Sequence, residues 1–240
     1  MSRVLRPGWR LWVLGAAAAL ALAGPGPVLG ADKGSGAPAA FAVAAVHMEQ
    51  NATDGDFEVV FEVKGGKEGL ARLTVVAPGG RTVIDFTAPE ASASLGMRQF
   101  RFETPEPRDA KALASAYPEG VYTFTGTTAT GGKLRGKATL SHRLPAATSF
   151  LQPKGNARGV DATKKISWTP VESAAAYIVK IEQRKLGVSL TSTLPGSVAA
   201  LGVPEGFLRP GTEYQLAIGT VSDRGNISFV ETTFTTGGRE

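Results

Sequence analysis

Between Asp56 and Lys64 the chain alternates: Phe57, Val59, Phe61 and Val63 are separated by Glu58, Val60, Glu62 and Lys64. Successive side chains of an extended strand point to opposite faces, so this period of two marks a half-buried β-strand. The pattern recurs. Leu73 and Val75 share one face; Val83 to Thr87 follows, and then Gln99 to Glu103, where Phe100 and Phe102 stand between polar neighbours. Val121 to Thr128 and Lys133 to His142 continue the series. Between these stretches lie Gly65-Gly66-Lys67-Glu68-Gly69, Pro78-Gly79-Gly80, Pro118-Glu119-Gly120 and Ala129-Thr130-Gly131-Gly132. Glycine and proline there supply the backbone angles of tight turns. About seven short strands in roughly 100 residues, with a turn every ~8–12, predict a sandwich of antiparallel sheets. The one helical turn expected spans Asp109 to Ala116.

Residues 41–147 are therefore read as an immunoglobulin-like β-sandwich. Residues 148–237 carry more specific marks. Phe150-Leu151-Gln152-Pro153 reads as a first strand, and Ile166-Ser167-Trp168 as a second, followed by Thr169-Pro170-Val171. From Ala176 to Glu182, Tyr177, Val179 and Ile181 share a face. Leu208-Arg209-Pro210-Gly211-Thr212-Glu213-Tyr214 leads into a strand extended by Leu216 and Ile218. Ser222-Asp223-Arg224-Gly225-Asn226 then turns into a last strand, Ile227 to Thr236. In this order and spacing the residues resemble a fibronectin type III module. The resemblance implies an inward-facing Trp168 and a tyrosine corner at Tyr214, its hydroxyl bonded back to the upstream backbone. No repeat of residues relates the two halves. The expected fold class is all-β: two tandem antiparallel β-sandwiches, immunoglobulin-like and then fibronectin type III-like. The connection Leu144-Pro145-Ala146-Ala147-Thr148-Ser149 is short and holds a proline, so a semi-rigid rod is expected.

The first residues bear on compartment. Arg3, Arg6 and Arg10 precede an apolar run of 12 residues, Leu11 to Leu22, which Gly24-Pro25-Gly26-Pro27 ends. A membrane-spanning helix needs about 20 such residues. Residues 1–30 are expected to be a signal peptide cut after Gly30, with Ala21-Leu22-Ala23 a second possible cut. Residues 31–40 read as a flexible leader. The chain is expected to be extracytoplasmic, periplasmic or secreted, with no stable membrane insertion after cleavage. It has no cysteine. That excludes disulfides, thiol catalysis, thiolate zinc sites and a lipidated N-terminal cysteine. Three of the 26 basic residues, and none of the 21 acidic ones, lie in the first thirty positions. What remains is nearly neutral, so the field that nucleic acid or an anionic membrane needs is absent, and no nucleic-acid partner is expected.

A search for chemistry yields little. The two histidines are His47 and His142. His142 follows Ser141 directly, and adjacent strand residues point to opposite faces, so the two do not form a nucleophile–base pair. Asp54-Gly55-Asp56 would place Gly65 where a calcium loop requires glutamate, and reads as a turn. Glu58, Glu62, Glu103 and Glu182 fall on the polar sides of strands, where solvation explains them. No catalytic residue, metal site or cofactor is expected. A water-excluding cavity in which His47 or His142 met clustered acids would overturn that reading. Tyr117 and Phe207, each beside Pro/Gly turns, are the aromatic candidates for ligand contact. The expected function is that of an exported non-enzymatic binding or interaction protein of the cell envelope or extracellular space, its partner an envelope protein or a glycan. The alternative is an accessory carbohydrate-binding protein using Tyr117 and Phe207; a carboxylate-dependent hydrolase ranks third.

Overall fold

The computed structural model describes residues 37–105, 109–161 and 165–238. The expected signal peptide, 1–30, lies outside the described residues. The first half contains β1 (Ala39–Ala40), β2 (Val43–Asn51), β3 (Asp56–Lys64), β4 (Leu70–Val76) and β5 (Thr82–Thr87). Helix α1 (Glu90–Ala93), β6 (Gln99–Glu103), helix α2 (Ala110–Ala116), β7 (Gly120–Thr128) and β8 (Lys133–Leu140) complete it. The second half contains β9 (Phe150–Gln152), β10 (Ala157–Val160), β11 (Ile166–Trp168), β12 (Ala176–Gln183) and β13 (Val188–Pro195). It ends with β14 (Ala200–Leu201), β15 (Glu213–Val221) and β16 (Ile227–Thr236).

These strands build two sandwiches from three sheets. One sheet runs β1-β8-β7-β4-β5, and another β14-β11-β9. The third, β13-β12-β15-β16-β2-β3-β6 with β10 paired to β16, passes through both halves of the molecule. Pairing is antiparallel except for β1·β8, β10·β16 and β16·β2, which are parallel. The first core gathers Val59, Phe61 and Val63 of β3, Leu73 and Val75 of β4, and Tyr122 and Phe124 of β7. The second gathers Ile166, Trp168, Tyr177, Val179, Ile181, Tyr214, Leu216, Ile218 and Phe234. Alternate residues of each strand thus face inward, as the period of two requires.

Two local expectations change. The leader was expected over 31–40, yet Ala39 and Ala40 form β1 beside Leu134 and Arg135 of β8, which gives backbone groups at that edge partners. The expected helical turn is α2, capped by the Asp109 carboxylate, which accepts from the Lys111 amide at 2.9 Å. It is not the single one, because α1 adds another turn before β6.

The two sandwiches meet through main chain rather than through a tether. β16 and β2 pair with Ile227 beside Glu49, Ser228 beside Gln50 and Phe229 beside Asn51. The Ala52 amide donates to the Phe229 carbonyl at 2.8 Å. Asn226, 1% exposed, braces the joint. Its Oδ1 accepts from the Met48 amide at 2.9 Å, while Nδ2 donates to the carbonyls of Ser141 at 2.9 Å and Arg143 at 2.8 Å. Ser228 Oγ donates to the Pro145 carbonyl at 2.7 Å. Restraint at this joint comes from these bonds and the shared sheet, in addition to the proline in the connection.

Candidate binding surfaces and a buried ion network

Tyr117 and Phe207 are both half-buried, and the structure does not bring them together. The Tyr117 ring packs on the first core with its centroid 6.0 Å from that of Phe61. Its carbonyl accepts from His142 Nε2 at 2.8 Å, a bond that ties the end of β8 to the turn after α2. The Phe207 ring packs on the second core, 6.2 Å from Tyr214. Each therefore belongs to a different sandwich and is engaged in packing. Trp168 faces inward as expected, 5.3 Å from the Tyr177 ring. Tyr214 makes the tyrosine corner: its hydroxyl donates to the Phe207 carbonyl at 3.1 Å and accepts from the Arg209 amide at 2.8 Å.

A second corner went unread in the sequence. Tyr122 is fully buried, and its hydroxyl donates to the Pro118 carbonyl at 3.0 Å. Burial pushes this hydroxyl's pKa up to about 12. Pro118 and Tyr122 stand at the same spacing as Pro210 and Tyr214, so one residue-level repeat does relate the halves.

The acids on the polar sides of β2, β3 and β6 are not all solvated. Glu49 and Glu62 are 7% and 9% exposed. Register places Glu62 opposite Arg101, with His47 and Glu49 on the same face of β2. Arg101 donates through one terminal nitrogen to Glu62 at 2.9 Å, through the other to Glu49 at 3.0 Å, and through Nε to Glu103. His47 Nε2 donates to Glu49 at 2.9 Å. Burial alone pushes the Glu49 carboxyl up, but the His47 hydrogen bond and the Arg101 charge overcome it and hold the pKa down at about 2. For Arg101, too, burial opposes the charged form; the carboxylates outweigh it and raise the pKa. A histidine does meet clustered acids here, yet each of the three carboxylates accepts from one guanidinium. Glu49, its pKa held down at about 2, is a poor proton donor or base near neutral pH. Sequence periodicity missed the cluster because alternation tells which face a residue takes, not whether that face is wet.

Beside the joint the shared sheet carries a small apolar cluster, Ile178, Ala217, Ile227 and Phe229, on the face opposite the second core. Gly219 makes room for Phe229, since a Cβ there would come within 2.6 Å of the ring. Lys180 lies over that ring, its Nζ 4.7 Å from the centroid, a cation–π contact. Burial lowers the Lys180 pKa. Burial, with Asp54 adding to it, pushes the Glu231 carboxyl up to about 7. Asp54 itself closes the turn before β3, accepting from the Asp56 amide at 3.2 Å and from Asn51 Nδ2 at 3.1 Å. Among the described residues, no group of three or more histidines and acids is arranged to hold a metal ion.

The outer face of the five-stranded sheet is different in kind. A shallow cleft of about 460 Å³ opens there, lined by Arg72, Thr74, Thr125, Thr127, Lys133 and Arg135 among others. Register makes it a ladder: Lys133 lies beside Thr127, Arg135 beside Thr125, and Lys137 beside Thr123. Thr74 faces Thr125 from the other side. Arg72 is offset by Asp85 at 3.7 Å, so the net charge of the face comes from the three cations of β8. Alternate residues of a strand recur about every 7 Å, so these cations form an evenly spaced column.

No protein-family model matches this sequence, and no curated protein matches it. Solved structures of tandem modules do resemble it. A segment of two fibronectin type III domains from chicken tenascin is 17% identical, covering 82% of this chain and 99% of that one, with a TM-score of 0.30. A tetra-tandem repeat from the extending region of a large adhesion protein is 12% identical, over 81% of this chain and 49% of that one, with a TM-score of 0.28. A structure bearing on host cell surface retention of a 1.5-MDa bacterial ice-binding adhesin is 13% identical, over 84% of this chain and 66% of that one, with a TM-score of 0.27. The chain spans about half the length of the tetra-tandem segment. Likeness at these identities and TM-scores carries no argument about this chain's ligand, partner or role. Among the described residues, no helix is long and apolar enough to cross a membrane, which says nothing of β-barrel insertion.

Proposed function

We propose that this chain is an exported, non-enzymatic binding protein, periplasmic or secreted after cleavage of residues 1–30. Its working surface is the outer face of the five-stranded sheet, and its ligand an acidic glycan. The observation that carries this reading is the ladder of β8 cations beside β7 threonines, opening into the cleft. Arginine and lysine spaced along a flat sheet suit a chain that bears a carboxylate on successive units, and threonine hydroxyls suit its ring hydroxyls. Other ligand classes fit less well. The cleft lining has no aromatic ring on which a base or an uncharged sugar could stack. Its apolar lining residues, Pro38 and Leu134, include no tryptophan or tyrosine of the kind that anchors most protein interfaces.

The test is electrophoresis of the exported protein through gels containing polygalacturonate or, in parallel, neutral dextran. Retardation is expected in polygalacturonate alone, weakened at about 0.5 M salt, where charges beyond a few ångströms are screened. Lys133→Gln combined with Arg135→Gln should abolish it. Migration unchanged on polygalacturonate, or a double variant that behaves like the parent, would sink the proposal.

A further inference from the structure

We infer that the free edge of β13 pairs with β13 of a second copy of this chain, extending the shared sheet across a two-fold axis. An unpaired strand edge offers a row of amides and carbonyls to any other strand, and soluble proteins ordinarily blunt such edges. Every other edge among the described residues carries a blunting device. β1 and β14 have two residues each, and β9 has three, followed at once by Pro153. β10 has four and an irregular register on β16. β6 has five and presents Arg101 and Glu103. β5 carries Asp85, and its pairing shifts between Val75 and Val76.

β13 has none of these. It pairs with β12 in unbroken register from Val188 to Pro195, and among the described residues it pairs with nothing else. No charged residue falls in it, and its proline stands at the very end. Ser189 and Thr191 are exposed, so the strand is open to solvent.

The sequence of the strand selects the occupant. Laid antiparallel on itself about Thr191, Val188 faces Leu194, Ser189 faces Thr193, Leu190 faces Ser192 and Thr191 faces its own copy. Apolar residues then continue the second core, since Val188, Leu190 and Leu194 pack against it within one copy. Hydroxyl residues meet on the other face. The Ser189–Thr193 and Thr191–Thr191 pairs are of the stabilising hydroxyl kind, Leu190–Ser192 is neutral, and no like charges are set opposite one another. A strand bearing charges, or one with its apolar residues on the other parity, would not fit as well. The pairing is independent of any glycan and goes beyond the binding function proposed above.

Sedimentation equilibrium of the exported chain, without glycan, tests the inference. A reversible dimer is expected, with a dissociation constant of roughly 10 µM to 1 mM, as suits a small interface. Thr191→Lys and Thr191→Asp each place two like charges face to face on the axis, and each alone should weaken the dimer at least tenfold. Mixed in equal amounts, they should form a heterodimer. Thr191 is exposed but stands opposite Lys180 of β12, so Thr191→Lys should melt slightly below the parent and Thr191→Asp slightly above it, both remaining folded at the temperature of the measurement. A parent that stays monomeric at about 1 mM, a Thr191→Lys protein that dimerises as the parent does, or a mixture that remains monomeric would each overturn the proposal.

Discussion

Both sandwiches set a tyrosine four positions after a proline and bury its ring, but they complete the two hydroxyls differently. Tyr214 is held twice, donating a hydrogen bond to the Phe207 carbonyl and accepting one from the Arg209 amide across the loop that enters β15. Tyr122 is held once, by Pro118 just before its own strand. The sandwiches differ in the same sense elsewhere. The first relies on a partly buried guanidinium shared by three carboxylates, whereas the described ion pair of the second, Glu182 with Arg184, is loose at 3.7 Å and more solvated. The same architecture is thus stabilised by ionic contacts opposite the first core and by side-chain bonds to loop backbone in the second.

The largest break in this comparison should come from Arg101→Met. It leaves Glu49, Glu62 and Glu103 without their counter-charge in a largely dry setting, which costs about 3–5 kcal/mol. Arg184→Met in the second sandwich should change the unfolding free energy read from urea titration by no more than about 0.5 kcal/mol. The pH dependence carries a second signature. Glu49 has a folded pKa of about 2, below its ordinary 4.5, so its stabilising effect is complete above 4.5 and is lost as pH falls toward 2. Glu231, raised to about 7, acts in the opposite sense: its contribution is complete below 4.5 and is lost as pH rises through 7. The unfolding midpoint should therefore climb from pH 2 to about 4.5 and decline toward 7. Arg101→Met should shrink the acid limb, the His47 hydrogen bond keeping part of it, and leave the decline. An acid limb of undiminished height would mean that other carboxylates produce it.

The joint comes next. Asn226→Ala strands the Met48 amide and the carbonyls of Ser141 and Arg143, a loss of about 2–4 kcal/mol. Hydrogen exchange should then quicken in β2 and β16 near Asn51 and Phe229, while β12 and β7 stay protected. Uniform protection of all four strands would show that the parallel pairing holds without its brace. The smallest effect sharpens the comparison between the corners. Tyr214→Phe removes two hydrogen bonds and leaves the Arg209 amide unpaired, at about 1–2 kcal/mol, whereas Tyr122→Phe removes one, at about 0.5–1.5 kcal/mol. Equal losses would mean that the second bond of Tyr214 adds nothing.

Much of the strand order was legible from residues. Asp56–Lys64 and Gln99–Glu103 were read to the residue as β3 and β6, because alternation is a local property of strands that bury one face. The inward Trp168 and the corner at Tyr214 followed from the resemblance of residues 148–237 to a fibronectin type III module. The corner at Tyr122 was hidden because Pro118-Glu119-Gly120-Val121 shares only its proline's position with Pro210-Gly211-Thr212-Glu213. Tyr117 and Phe207 were picked for their turn neighbours, a cue that says nothing about which core lies beneath a ring. Asn226 was read as a turn former; its second role needs three backbone groups from residues about 80 to 180 positions away.

Local pattern therefore determined that this chain makes strands, where most of them start and stop, and which side chains turn inward, since each depends on neighbours one or two positions apart. Tertiary structure alone decided that β16 lies along β2, that Arg101 gathers three acids, that the cations of β8 stand beside a row of threonines, and that β13 is left with an open edge. Those are facts of strand neighbourhood and register. Hydrogen bonds between strands form by backbone geometry common to all residues, so pairing partners are selected by the packing of whole sheets and leave little trace in the sequence of either strand.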